Sequence, residues 1–503
     1  TFLRKPNDQN LVNFRIGDIG VLYPAKDDQS QAVLRNQIFK CTITGLDSEK
    51  VTVRLRNKQY NQRLFTENNS WNIEPDNLDS SFGQMYRSLF AWATAPEEYR
   101  DLYLGRKRPG IKKQVMEVSV SGENLTRDQQ EMLEKMANCR DYFLLWGPPG
   151  TGKTSVVIKN LVRHLHDNTA ENVLLLAYTN RAVDEICDAL TSLGVEFHDS
   201  YLRIGSRFAA DGRFHDRLLE QFIRNARTRA EIVALLTSKR IFVSTVSSIL
   251  GRPELFSLKE FDTVIIDEAS QILEPMLAGL LSRFKRYILV GDHKQLPAVV
   301  TQSIADANIM DEGLRSLGFT NTCTSLFERL YLHVRKQGWD HAYGILGYQG
   351  RMHTALMEFP NNYFYEGKLK VLDSSARQTA SDLYKHSHPS YSWLAQRKIF
   401  IDTPEDNEIN WKTNKFEAEK CLEIIRGLLV VFDQNKIPLT PESIGIITPY
   451  RAQIALIRQK LEVLPPEVYN KISVDTVERY QGGARSVIII SFCVNRLTQL
   501  DSL

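Results

Sequence analysis

Gly147-Pro-Pro-Gly-Thr-Gly-Lys-Thr154 decides how the rest of this 503-residue chain is read. It fits G-x-x-x-x-G-K-[ST], a loop whose backbone N–H groups cradle phosphate oxygens. The apolar run Tyr142-Phe-Leu-Leu-Trp146 precedes it, and Ser155-Val-Val-Ile-Lys-Asn-Leu-Val162 follows with helical character. That is the strand–loop–helix setting such a loop requires. Gly147, Gly150 and Gly152 allow the tight turn and the close backbone approach, with Pro148, Pro149 and Thr151 between them. The helix N-terminus adds partial positive charge. Lys153 is expected to reach the β- and γ-phosphates of a bound nucleotide, and Thr154 to ligate Mg²⁺.

Two further blocks complete the chemistry. Val264-Ile-Ile-Asp267-Glu268-Ala269-Ser270 is an apolar strand that ends in two carboxylates. In parallel α/β folds such acids sit at the carboxyl end of the sheet, beside the phosphate loop. Asp267 is expected to hold Mg²⁺, and Glu268 to orient and deprotonate the attacking water. Gly291-Asp-His-Lys-Gln-Leu-Pro297 ends the next strand, where Gln295 can place its amide on a γ-phosphate. Upstream, Thr126 and Gln129 form a capping box that by itself accounts for Gln129. The phosphate loop about twenty residues later makes Gln129 a candidate to read an adenine edge as well.

Bulk properties set the frame. The length predicts two to four domains. A net charge of +3 is too small to mark a nucleic-acid binder by itself, so any basic groove must be local. Six cysteines lie far apart with no C-x-x-C, which points to reduced intracellular thiols and against a zinc or iron–sulfur site. Without an 18-residue apolar run or a signal-peptide pattern, a soluble intracellular protein with no membrane partner is expected. The chain starts at Thr1, which suggests a fragment.

Residues 11–75 alternate like strands: Phe39, Cys41 and Ile43, then Val51, Val53 and Leu55, around a turn at Leu46-Asp-Ser-Glu-Lys50. A small β-barrel or sandwich is expected. It is either purely structural or a weak single-strand binder through Arg54, Arg56, Lys58, Tyr60 and Arg63. Residues 80–105 read as helical. After the phosphate loop, strands are expected at Val173–Tyr178, Ile241–Ser244, Thr263–Ile266 and Tyr287–Val290, in a parallel sheet with helices on both faces. The arginines of residues 203–240 fit an exposed helix face or a phosphate-tracking insertion equally well. A second alternation follows, with strands at Lys398–Ile401, Ile444–Thr448, Ile472–Val474 and Val487–Phe492. The expected organisation is therefore α/β: two RecA-like P-loop domains with parallel sheets, preceded by a small β-barrel accessory domain. The boundaries read as 1–120 for the barrel and helical connector, 121–337 for the first RecA-like domain and 338–503 for the second.

Ser325-Leu-Phe-Glu-Arg-Leu330, Gln349-Gly-Arg-Met-His353, Phe359-Pro360, Tyr365-Glu-Gly-Lys-Leu369, Ile446-Ile-Thr-Pro-Tyr-Arg-Ala-Gln453 and Val474-Asp-Thr-Val-Glu-Arg-Tyr-Gln-Gly482 follow the first three blocks. In this order they resemble superfamily 1 helicases of the B group, the family of the nonsense-mediated-decay RNA helicase. Within it the chain is similar to the helicase half of the nuclease–helicases that process flaps and DNA ends. The resemblance covers about residues 120–495. It implies ATP and Mg²⁺ as cofactors and 5′→3′ movement on single-stranded nucleic acid, DNA favoured and RNA possible. A nuclease domain or partner outside this chain is also implied. Arg351 matches the arginine that crosses from the second domain to the γ-phosphate. Gln481 and Gly482 match a nucleotide-contact block. Thr179, Asn180, Thr245 and Ser247 match strand contacts of the first domain, and Thr448, Pro449 and Thr476 those of the second. Strand-end capping explains each hydroxyl about equally well.

Three departures stand out. Gly350 replaces the family's adenine-stacking aromatic, with Tyr348 as a substitute. Ala484 and Ser486 replace acids. The chain stops at Leu503 before the final block, which is expected to reflect truncation. The departures at 484 and beyond favour the alternative of an ATP-regulated nucleic-acid clamp that does not unwind.

Overall fold

The computed structural model describes the chain apart from residues 4–13, 15, 26–35, 48, 62, 69, 77–80, 119, 121–123, 195–196, 198, 299, 301, 373–375, 381–382, 385–387, 404–411, 481–482, 494–498 and 500–503. It divides into two compact units. One comprises Thr1–Leu78 with Ala380–Leu503, the other Asp79–Thr379.

In the first unit, β1 (Phe2–Leu3), β2 (Ile19–Pro24), β3 (Phe39–Leu46), β4 (Lys50–Leu55) and β5 (Trp71–Pro75) form an antiparallel sheet in the order β1-β4-β3-β2-β5. Residues 39, 41 and 43 turn inward as their alternation predicts, because successive side chains of a strand face opposite sides. The sheet curls until its edges meet: the Phe2 ring on β1 lies 5.8 Å from Trp71 on β5. Phe65 stacks on Trp71 at 4.9 Å and closes the small core around Leu22, Phe39 and Cys41. The β3–β4 turn is held by Asp47, whose Oδ1 accepts from the backbone N–H of Glu49 and Lys50.

The second unit is built on seven parallel strands. They are β6 (Tyr142–Trp146), β7 (Val173–Ala177), β8 (Tyr201–Ile204), β9 (Ile241–Thr245), β10 (Thr263–Ile266), β11 (Arg286–Gly291) and β12 (Tyr343–Ile345). Their order is β12-β6-β11-β10-β7-β9-β8. Along β6, Tyr142, Leu144 and Trp146 enter one apolar core, while Phe143 and Leu145 enter the core on the opposite face. Burial on both sides explains why these strands read as unbroken apolar runs.

Two expected boundaries move. The 1–120 segment does not stay with the barrel: helices Ser81–Ala93 and Glu97–Leu104 pack against helix Glu274–Leu281 of the large unit. Ser88 Oγ donates to Met276 O and accepts from Gly279 N, and Tyr99 OH donates to Ala278 O. The 337/338 boundary fails too, because β12 extends the phosphate-loop sheet by pairing with β6. Residues 343–379 thus belong to the same unit as the loop. A chain that continues its alternation of strands and helices carries no local mark of which sheet a strand joins.

The helix crossing at Gly279 is tight. A Cβ there would collide with the Ser88 carbonyl oxygen and approach Ala91 Cβ to 2.7 Å. Gly279→Ala gains about 1 kcal/mol of helix propensity. The collision is with backbone, which no rotamer relieves, and overpacking of this kind costs about 1–3 kcal/mol. The variant is expected to unfold at lower denaturant concentration than the native chain. A higher midpoint would contradict the crossing.

Back in the first unit, β15 (Ile444–Ile447), β16 (Ile472–Asp475) and β17 (Val487–Ile490) form a parallel sheet in the order β16-β15-β17; the pair β13 (Tyr348–Gln349) and β14 (Lys370–Val371) lies in the large unit. Helix Lys415–Gln434 covers the three-stranded sheet and buries Cys421, Ile425, Leu428 and Phe432. Lys398–Ile401 is not a strand: it pairs with no described strand, and Phe400 is 86% exposed. The arginines of 203–240 divide. Arg203 lies fully buried on β8 against Asp184, and Arg213 and Arg217 pair with Asp188 and Asp199.

Candidate active site

Every parallel strand of the large unit ends at the same edge of the sheet, and the residues read as chemical collect there. The loop after β6 enters with Gly147 N donating to Gly291 O at 3.0 Å, which ties it to the end of β11. Gly150 and Gly152 adopt φ of 76° and 78°, a left-handed region that other residues enter at a cost. A Cβ on Gly147 would strike the Lys153 stem. The first helical turn is wound as a π-helix over Lys153–Ile158, with both Val156 N and Val157 N donating to Gly152 O. Thr151 Oγ1 donates to Pro148 O at 2.7 Å and braces the loop.

Lys153 Nζ lies 3.1 Å from Glu268 Oε1, with both side chains nearly buried. Thr154 Oγ1 donates to Asp267 Oδ2 at 2.5 Å. Burial works to lower the Lys153 pKa, but Glu268, Asp267 and Asp292 outweigh it and hold the ammonium above its ordinary value. Asp267 is pushed up, first by burial and then by the charge of Glu268, against the pull of Lys153 and Thr154. Two carboxylates facing one ammonium therefore leave surplus negative charge. A divalent cation fits that surplus, with a Thr hydroxyl and an Asp carboxylate already in contact to receive it. No group of three or more His, Cys, Asp or Glu is arranged as a metal cage among the described residues. Mg²⁺ binds through one or two side chains together with phosphates and water, and Thr154 with Asp267 would supply the side chains.

Glu268 is held in strain. Its backbone sits at φ 52°, ψ 37°, and its Oε2 accepts from Gln271 Nε2 at 3.1 Å. A non-glycine residue in that region costs of order 1–3 kcal/mol and persists where surrounding structure enforces it. Here the strain aims the carboxylate at Lys153.

Arg351 stands over the loop. Gly350 N donates to Gly150 O at 2.9 Å, and an added Cβ on Gly150 would sit 2.5 Å from Arg351 Cβ. Crowding of the guanidinium lowers its pKa, while Glu185 and Glu268 pull it back up. The residue nonetheless keeps an exposed surface. The expectation that Arg351 reaches in from a second domain is corrected: it belongs to the same compact unit as Lys153. A Cβ on Gly350 would meet Leu372 Cδ1 at 2.8 Å, so a larger residue there requires the Leu372 side chain to shift. Tyr348 lies next to the Gln129 helix: Asp128 Oδ2 accepts from Gly347 N and Tyr348 N.

Gln129 makes the expected capping box and also contacts the phosphate loop. Its Oε1 accepts from Thr126 N to complete the capping box, and its Nε2 donates to Thr151 O of the loop. Gln295 Nε2 donates to Asp292 Oδ2 at 2.7 Å. In the sequence Asp292 stands out only as a member of the Gly291–Pro297 block. It is a fully buried hub that also receives Trp146 Nε1 and Tyr365 OH.

The expected strand contacts of this unit lie three and four strands from the phosphate loop, on the same edge. Thr179 caps helix Asn180–Thr191 through Ala182 N, and Thr245 caps Val246–Leu250 through Ser248 N. Asn180 opens the first of these helices, and Ser247 is exposed. In the other unit Thr448 N donates to Asp475 O, which places Thr448 beside Thr476 at the ends of β15 and β16. Thr448 is fully buried, so its side chain is closed to a strand in this conformation. Pro449 follows it and is exposed. Gln481 and Gly482 lie outside the described residues.

Two family models, each described as an AAA domain, match residues 124–303 (as 124–225 and 212–303) and 322–499. The DNA replication ATP-dependent helicase/nuclease DNA2 of Bos taurus is 30% identical over 443 residues, covering 82% of this chain and 39% of that protein. The human DNA2 is 30% identical over 392 residues, covering 74% and 34%. An uncharacterized ATP-dependent helicase of Methanocaldococcus jannaschii is 27% identical, covering 82% of this chain and 70% of that protein. The chain thus spans little more than a third of the length of these DNA2 proteins. Motif order, fold and these similarities agree: the chain belongs to the superfamily 1 helicases of the B group, in the DNA2-like branch.

Proposed function

We propose that this chain is an ATP-driven 5′→3′ translocase and helicase on single-stranded nucleic acid, with DNA favoured over RNA. The observation that carries this is the paired contact Lys153–Glu268 and Thr154–Asp267 at the sheet edge that also presents Thr179 and Thr245. In this reading the loop N–H groups and Lys153 bind the β- and γ-phosphates of ATP, and Glu268 orients the attacking water and takes its proton. Gln295 reads the γ-phosphate, and Arg351 stabilises the charge that develops on it. Thr154 and Asp267 hold Mg²⁺, which supplies charge neutralisation on the phosphates. Gln129 reads the adenine edge with Tyr348 nearby, and Gln481 with Gly482 adds a further nucleotide contact. Thr179, Asn180, Thr245, Ser247, Pro449 and Thr476 hold the strand by its backbone, which positions it without reading sequence; the buried Thr448 supports the turn that carries Pro449.

The chain has no helix long and apolar enough to cross a membrane among the described residues. Strand displacement on duplexes with a 5′ or a 3′ single-stranded tail tests the proposal. Unwinding from the 5′ tail alone, dependent on ATP, is expected, and a 3′ preference would overturn the direction. Ala484, where the family resemblance implies an acid, favours a second reading as an ATP-regulated clamp. That reading predicts ATP-dependent retention of single strands with no displacement from either tail.

A further inference from the structure

Asp292 is fully buried at the end of β11, and four separate parts of the large unit converge on it. Its Oδ1 accepts from Trp146 Nε1 at 2.8 Å, the last residue before the phosphate loop, and from Lys294 N at 3.0 Å. Its Oδ2 accepts from Gln295 Nε2 at 2.7 Å and from Tyr365 OH at 2.8 Å. Its own N–H donates to Ser270 Oγ at 3.2 Å, four residues past β10. Tyr365 is only 3% exposed. It follows helix Thr354–Phe364, which begins directly after Arg351-Met352-His353. Its loop is fixed by Asn361, which exchanges side-chain hydrogen bonds with the backbone of Leu369 and accepts from Gly367 N through its carbonyl.

The chemistry of this hub is directional. An ionised carboxylate only accepts hydrogen bonds. Facing Gln295, it therefore dictates which end of the amide turns toward it: the NH₂ end. An amide fixed in that sense carries a second N–H in its own plane, the group an anionic phosphate oxygen takes. The reverse flip would present a carbonyl oxygen, which repels phosphate. The carboxylate can impose this only if it is itself held, and Trp146 and Tyr365 are the two side-chain donors that hold it from the other sides. Burial keeps the Tyr365 phenol protonated, and Asp292 adds to that effect, so the hydroxyl remains a donor across the working pH range.

We propose that Tyr365 is a positioning residue for ATP hydrolysis: through Asp292 it fixes the amide of Gln295 in the sense that reads a γ-phosphate, and so ties that reading to the segment carrying Arg351. The inference rests on the role given above to Gln295. Tyr365→Phe keeps the ring against Trp146, at 6.0 Å between centroids, and removes only the hydroxyl. The kcat of ATP hydrolysis is expected to fall about tenfold, the scale of one hydrogen bond to a charged group, with KM for ATP within about twofold. A double-mutant cycle supplies the readout that a packing role would not move: Tyr365→Phe in a Gln295→Ala background should cost almost nothing further. Any general loss of stability appears in both arms and cancels. Native kcat in Tyr365→Phe, or equal losses with and without Gln295, would overturn the inference. Persistence of hydrolysis in Lys153→Ala would instead overturn the nucleotide site itself, and native kcat in Gln295→Ala would remove the premise.

Discussion

Lys153→Ala is expected to lower ATP hydrolysis by at least about 10²–10³-fold, the effect of deleting one preorganised charge stabiliser from an active site. The ammonium is nearly buried, 3.1 Å from Glu268, and held charged by the surrounding carboxylates. A cation in that setting acts with little screening on phosphate charge brought beside it. The substitution also removes the Oε1 partner of Glu268 and leaves Gln271 on Oε2, so the carboxylate proposed to activate water is held less firmly. Nucleic-acid binding should persist, because Thr179 and Thr245 are fixed by their own helix caps. Steady-state phosphate release and single-strand binding, measured on the same preparation, check both halves. Native hydrolysis would remove Lys153 from the site, and parallel loss of strand binding would point to a folding defect instead.

Arg351→Ala is expected to cost about 10³–10⁵ in kcat, the range for arginines that stabilise phosphoryl transfer, while ATP binding changes far less. The placement explains the split. Arg351 rises over Gly150, with its backbone fixed by Gly350 N on Gly150 O and by Arg351 N on Gln349 Oε1. In the proposed site the ground-state phosphate contacts come from the loop and Lys153, so removal of the guanidinium should chiefly remove interactions that strengthen in the transition state. Arg351→Lys should recover little, since a point charge on a flexible stem does not reproduce the planar fork. Single-turnover hydrolysis next to equilibrium binding of a fluorescent ATP analogue separates the two effects. Equal losses in affinity and turnover would contradict the assignment.

Much of this was legible before any coordinates. The phosphate loop, the strand ending in Asp267-Glu268 and the alternation of residues 39–43 carry their structure locally, through glycine freedom, apolar runs and period-two burial. The strands at 173, 241, 263 and 287 were legible for the same reason: buried on both faces, they must be apolar throughout. Three kinds of feature were not. Domain membership of 81–104 and 343–379 depends on which partner surface a segment meets, as at Ser88–Gly279 and β12–β6, and neither leaves a local trace. Lys398–Ile401 has the composition of a strand but no described neighbour to pair with, and composition alone forms no ladder. The hub at Asp292 joins residues 146, 292 and 365, side chains far apart in sequence and brought together only by the sheet. Thr448 shows the remaining difficulty: a hydroxyl at a strand end can cap, bind or be buried, and only coordinates distinguish these.

The claim on which the rest depends is that hydrolysis at Lys153, Asp267 and Glu268 is coupled to a single strand held along the same sheet edge. The most direct test is the ATPase rate of the native protein with and without saturating single-stranded DNA, repeated with RNA of the same length. The account predicts strong stimulation by the single strand, greater for DNA, and its disappearance in Thr179→Ala with Thr245→Ala while basal hydrolysis persists. An ATPase rate indifferent to both polymers would contradict it.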